Sequence, residues 1–247
     1  MTMKAFGITD VGLQRRENQD TFAIERVVSD GQLLAVVCDG MGGENSGKTA
    51  SKLAVRAFID ALRGVLREDM TAEQVHEAAS FCVAKANTAV NRHAAEHEEC
   101  RGMGTTLVSA VTCGDRVVIC NVGDSRAYHI SGSGIARVTR DHSVVEGLIE
   151  SGNITPEQAR THPNRNLITR ALGPEEHIAC DIYEVTMAQG DQLLLCSDGL
   201  VVTARDEEML EAVRGGSTPE ESLERLLALS RQRGAPDNVT AVLLCER

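Results

Sequence analysis

Short apolar runs at residues 4–9, 22–26 and 33–38 read as buried strands, and a glycine-rich turn at 39–47 follows the third. The period then lengthens. Ala50, Leu53, Ala54, Ala57, Phe58, Ala61, Leu62, Val65 and Leu66 recur at i, i+3, i+4 and i+7, which predicts an amphipathic helix. A second helix is predicted from Thr71 to about His97, with Thr71 and Gln74 spaced as a capping box. From Gly104 the strand period returns in three closely spaced runs, 105–112, 116–121 and 126–130. The links at 113–115 and 123–125 are short, so antiparallel hairpins are expected, with a further turn at 131–134. Residues 143–173 break the β pattern with two short polar helices and a His-Pro stop at 162–163. Strands resume at 181–186 and 192–196, helices follow at 206–213 and 219–231, and 238–245 closes the chain as a strand.

Grouped strands, an early helix pair and a late helix pair predict a layered α+β fold rather than a βαβ succession. We expect one domain over 1–247, with a helical insertion at about 143–173. A chain of 247 residues can bury a substantial core, built here from aliphatic residues, Met and Cys because Trp is absent and aromatic content is 2%. The formal charge of −11, with no dense Lys/Arg run, excludes a nucleic-acid surface. No apolar run has the length of a membrane span, and the first six residues lack the apolar stretch of a signal peptide. Most of the eight cysteines lie in apolar runs and none forms a C-x-x-C pair, so reduced thiols and a cytoplasmic location are expected.

Four aspartates stand at the ends of apolar runs: Asp39 in VVCDGMGG, Asp124 in ICNVGDSR, Asp198 in LLLCSDGL and Asp237 in GAPDNVT. Carboxylates that converge repel one another unless a cation sits among them, and hard divalent ions such as Mg²⁺ and Mn²⁺ favour oxygen donors. Each motif also has an ordinary reading. Asp-Gly is common where a strand turns, and Asp237 after Pro236 fits an Asx turn. The repetition of strand–Asp–Gly at Asp39 and Asp198 favours a metal centre.

The ordered set RRENQD (15–20), VCDGMGG (37–43), MGTT (103–106), NVGDSR (121–126), TRDHS (139–143), HPNRNLITRALG (162–173), CSDGL (196–200) and DNVT (237–240) resembles the metal-dependent type 2C (PPM) serine/threonine protein phosphatases in their compact bacterial form. The resemblance covers essentially the whole chain. It implies a four-layer αββα sandwich, two antiparallel sheets flanked by helices, with the site at one end and a helical flap beside it. In that family pattern Asp39 would bridge two Mn²⁺ or Mg²⁺ ions, Asp198 and Asp237 would complete the first, and the Gly40 carbonyl would face the second. Asp124 would help hold a weaker third ion, and Asp20 would hydrogen-bond metal-bound water. Arg15 would bind the substrate phosphate, with Arg16 as its competitor. The implied reaction is hydrolysis of phosphoserine and phosphothreonine in proteins by a hydroxide shared between two ions, opposing a serine/threonine kinase.

Two departures stand out. Gln19 occupies a position where many relatives carry Glu, and Met41 one where animal relatives often carry a His proposed to protonate the leaving group. His142 and His162 are then candidate acids. His162 also suits a helix end, and His142 a structural turn. Arg160, Arg165 and Arg170 mark the insertion either as a flap that touches phosphoprotein or as a cap on the sandwich. A catalytically silent phosphoprotein-binding regulator and a hydrolase of small phosphate esters are the alternative functions.

Overall fold

The computed structural model describes residues 3–28, 32–43 and 46–246. Eleven strands, seven α-helices and one 3₁₀ turn at Glu98–Cys100 occur among them. The strands are β1 Met3–Asp10, β2 Asp20–Val28, β3 Gln32–Met41, β4 Gly104–Thr105, β5 Leu107–Cys113, β6 Arg116–Val122, β7 Arg126–Ser131, β8 Gly134–Arg137, β9 Asp181–Thr186, β10 Gln192–Cys196 and β11 Val239–Glu246. The helices are α1 Ser46–Val65, α2 Ala72–Glu96, α3 Val144–Glu150, α4 Pro156–Arg160, α5 Asp198–Thr203, α6 Asp206–Gly215 and α7 Pro219–Gln232. The capping box at Thr71 is formed, each partner bonding the other's backbone N–H.

One sheet runs β1-β11-β10-β7-β8 and the other β2-β3-β5-β6-β9, with β4 paired to β3; every pairing is antiparallel. β3 explains why its sequence is apolar at nearly every position. Leu34, Val36 and Cys38 face α1 and α2, packing with Phe58, Leu62 and Val83. Leu33, Ala35 and Val37 point the other way, between the sheets, against Leu193, Leu195, Val242 and Leu244. A strand covered on both faces cannot alternate. The outer face of the five-stranded sheet buries Tyr128, Leu194 and Leu243 beneath Met209, Leu223 and Leu226 of α6 and α7. The four layers are therefore helix, sheet, sheet, helix, as the α+β reading implies.

Several boundaries differ from the expectation. The chain does not turn at Asp39: β3 continues through Gly40 and Met41, which pair with Thr105 and Gly104 of β4. The expected turn's Glu44 and Asn45 lie outside the described residues. The run at 105–112 splits at Thr106, because Thr105 joins β3 while Leu107 starts the pairing with β6. The link at 123–125 is not a hairpin: β6 and β7 lie in different sheets, and the chain crosses between them there. β8 and α5 were not visible in the pattern, each being only a few residues long.

Candidate metal centre and active site

Asp20 and Asp39 are direct cross-strand partners on β2 and β3. Two carboxylates in that position repel, so the fold itself sets up a site short of positive charge. Glycines let further acids approach. A Cβ at Gly40 would stand 2.0 Å from the Gly47 carbonyl oxygen, and one at Gly199 would stand 2.0 Å from that of Asn238. The second contact seats the start of α5 against the start of β11, which brings Asp198 beside Asp237. Asp124 arrives at the crossing between the sheets.

Asp39, Asp124, Asp198 and Asp237 all line one cavity of about 250 Å³, together with Arg15, Gln19, Gly40 and Met41. Arg15 is the one basic side chain in that lining among the described residues. The carboxyl groups of Asp39 and Asp198 lie within hydrogen-bonding reach of one another. Burial, reinforced by Asp20, Asp198, Asp124 and Asp237, pushes Asp39 well above the usual carboxylate range. Burial raises Asp20 to about 7 and Asp198 to about 6, and lifts Asp124 well above its ordinary value. Arg15 donates from Nη2 to Asp237 Oδ2 at 2.7 Å, which raises the guanidinium pKa further.

The donor set fits hard divalent cations. Among the described residues no donor reaches the buried Asp20 Oδ1 or Asp198 Oδ1, so anionic oxygens are left without compensation. No three His, Cys, Asp or Glu side chains among the described residues close around one point as a ready cage. Mg²⁺-like ions do not need one, since they keep several waters and take one or two carboxylates each. A stability consequence follows for the metal-free chain. Carboxyl groups whose folded pKa is raised favour the folded state below their unfolded value, near 4, and lose that contribution as pH rises through about 6 to 7. The melting temperature in chelator should therefore fall between about pH 4 and pH 7, and millimolar Mg²⁺ should abolish the fall. Differential scanning calorimetry across that range checks it.

The family model for protein phosphatase 2C matches residues 14–243. The chain belongs to the protein phosphatase 2C family. This phosphatase 2C chain is 37% identical over 239 residues to the serine/threonine phosphatase stp of Listeria monocytogenes, covering 97% of this chain and 94% of that one. Its fold matches the crystal structure of serine/threonine phosphatase Stp1 from Staphylococcus aureus with a TM-score of 0.94 and 35% identity, over 100% and 96% of the two chains. It also matches the catalytic domain of the phosphatase PstP in complex with two manganese ions, with a TM-score of 0.85 and 31% identity over 98% and 97%.

Of the residues singled out in the phosphatase 2C motifs, the cavity gathers Arg15, Asp39, Gly40, Asp124, Asp198 and Asp237. Asp20 is buried just beside them, its Oδ2 accepting from Ser197 Oγ at 2.8 Å. Arg16 is absent from the lining, and so is His162, whose Nδ1 accepts from the Asn164 N–H at 3.1 Å. The flap instead contributes Asn166 and Ile168. His142 is buried away from the cavity lining, where Nδ1 accepts from the Gly123 N–H at 3.0 Å. Two of the three flap arginines are turned to their own chain: Arg170 to Asp181 at 2.8 Å and Arg160 to the Ala204 carbonyl. Arg165 is exposed.

Three positioning residues escaped the sequence reading. Asn238 accepts the Gln19 N–H and donates to the carbonyls of Val11 and Glu17, so one amide fixes both arms of the loop that carries Arg15. Thr105 and Thr106 hold the backbone of Asp39, and the Thr106 hydroxyl also bonds Ser125 beside Asp124 at 2.7 Å. The DNVT and MGTT motifs were signals for both, but the partners are remote in sequence. Asn238→Ala should leave three loop groups unpaired at about 1 kcal/mol or more each and raise KM for a phosphopeptide more than it lowers kcat. Steady-state kinetics on the variant measure that split.

Proposed function

We propose that this chain is a metal-dependent protein phosphatase that hydrolyses phosphoserine and phosphothreonine, uses Mn²⁺ or Mg²⁺, and opposes a serine/threonine kinase of the same cytoplasm. The observation that carries the reading is a cavity walled by four aspartates and entered by one guanidinium. Asp39, Asp198 and Asp237, with the Gly40 carbonyl, would hold two ions, and Asp124 would share a weaker third. Bound there, such ions supply Lewis acidity toward phosphoryl oxygen and lower the pKa of water.

The chain's own groups do the rest. The carboxylates provide anionic oxygen whose mutual repulsion a cation relieves. Arg15 presents a planar fork that matches two phosphoryl oxygens and stabilises the charge they gain. The buried Asp20 Oδ1, with no partner among the described residues, is free to accept a hydrogen bond from a water at the site. Met41 lines the cavity and has no proton to give, so protonation of the leaving serine or threonine oxygen falls to solvent-derived water. Gln19 contributes no charge, which weakens the attraction for the second ion. We read residues 1–247 as one catalytic domain with the flap shaping the cavity rim.

Retention of every motif aspartate speaks against a silent binding module. The test is phosphate release from matched phosphothreonine and phosphotyrosine peptides with Mn²⁺ and with chelator. Preference for the phosphothreonine peptide, lost on chelation, is expected. Activity that survives chelation, or that favours phosphotyrosine, would overturn the assignment.

A further inference from the structure

A group of thiols lies outside the cavity, beneath α2. Cys120 on β6 pairs in register with Ile182 on β9, so Cys180, two residues before Ile182, projects from the same face of the sheet. Cys120 is fully buried and Cys180 is partly exposed. Cys180 packs against the buried cluster that holds Cys120 and Cys82, and its Sγ lies 3.7 Å from Ser80 Oγ of α2. Cys82, on the same helix, is fully buried close enough to Cys120 to act on it electrostatically. The juxtaposition is asymmetric: its neighbour Cys120 holds Cys180 below the ordinary thiol range, while Cys180 and burial push Cys120 above it. A reagent from solvent meets Cys180 first, with a second sulfur already in place behind it.

We propose that Cys180 and Cys120 are a redox modification site at which hydrogen peroxide forms a reversible disulfide. The Cys180 thiolate attacks one peroxide oxygen and the O–O bond breaks, leaving a sulfenic acid and hydroxide. The Cys120 sulfur then attacks the sulfenic sulfur. The S–S bond forms, the S–O bond breaks, and the oxygen leaves as water. Two thiols lose two electrons in total, and one peroxide becomes two waters. Cys120 serves as the resolving thiol.

The consequence reaches the flap through the next residue. Asp181 accepts from Arg170 Nη1 at 2.8 Å and lies 3.1 Å from His142 Nε2, while Arg170 also bonds the Ala179 carbonyl. His142 in turn holds both backbone groups of Gly123, next to Asp124. Shortening a thiol contact to a bond of about 2.05 Å draws the 179–181 segment inward and disturbs these contacts.

The full chain with redox-inert Mg²⁺ should be treated with limiting peroxide, alkylated, digested and read by mass spectrometry, beside Cys180→Ser and Cys82→Ser. A Cys120–Cys180 disulfide is expected in the unsubstituted chain and in Cys82→Ser, absent from Cys180→Ser and reversed by dithiothreitol. Sulfinic acid at Cys180 with Cys120 still free, or a bridge involving Cys82, would overturn the proposal. Turnover of a phosphopeptide should drop on oxidation and recover on reduction, with Cys180→Ser unaffected. A complete disulfide with unchanged turnover would overturn the link to the flap.

Discussion

Asp39→Asn should lower phosphopeptide turnover by at least about 10³-fold at saturating Mn²⁺ while raising the melting temperature of the metal-free chain. Both effects come from one charge. Asp39 faces Asp20 across the β2–β3 ladder, lies within reach of the Asp198 carboxyl, and feels Asp124 and Asp237 as well. Asparagine fills the same space and keeps the backbone bonds to Thr105 and Thr106, which do not involve the side chain. It removes the anion that the other carboxylates repel and that is proposed above to be shared between two ions. Each kcal/mol of relieved repulsion should add about 2–4 °C to the melting temperature for a chain of this size. Phosphate-release kinetics and calorimetry in chelator, on one preparation, read the two effects. A variant that lost activity through misfolding would instead melt lower.

Arg15→Ala should lower kcat/KM on both a phosphopeptide and a small aryl phosphate, by roughly 10²-fold, because the contact proposed for it is to the phosphoryl group common to both. Arg15→Lys should recover only part, since an ammonium supplies charge without the two-pronged geometry. Arg15 also neutralises Asp237 through a 2.7 Å ion pair. Removing it frees an anionic oxygen, so the Mn²⁺ concentration for half-maximal activity should fall or stay level even as catalysis declines. That opposition separates a phosphate-binding role from a general loss of the site.

How much of this was legible in the sequence depended on the range of the interaction. β9 and β10 were located to the residue, and the start of α2 was set by Thr71 and Gln74, because those signals are local. Arg15, Gln19, Asp39, Gly40, Met41, Asp124, Asp198 and Asp237, all in the cavity lining, were legible as motif positions. What was not legible arises between remote segments. β3 runs past Asp39 only because β4 arrives to pair with Gly40 and Met41. The 123–125 link looked like a hairpin turn because nothing in it shows that β7 joins β10 in the other sheet. The role of Asn238 depends on carbonyls and an N–H more than two hundred residues earlier. His162 was conspicuous as a histidine beside a proline, whereas Asn166 and Ile168, which reach the cavity from the same 162–173 motif, are residue types with no titratable group to single them out.

The central claim is that the Asp39 cluster is a cation site. Calorimetric titration of Mn²⁺ into the chelator-stripped chain and into Asp39→Asn tests it most directly. Saturable binding to the unsubstituted chain, lost or greatly weakened in the variant, is the predicted result. Equal binding by both, or none by either, would contradict it.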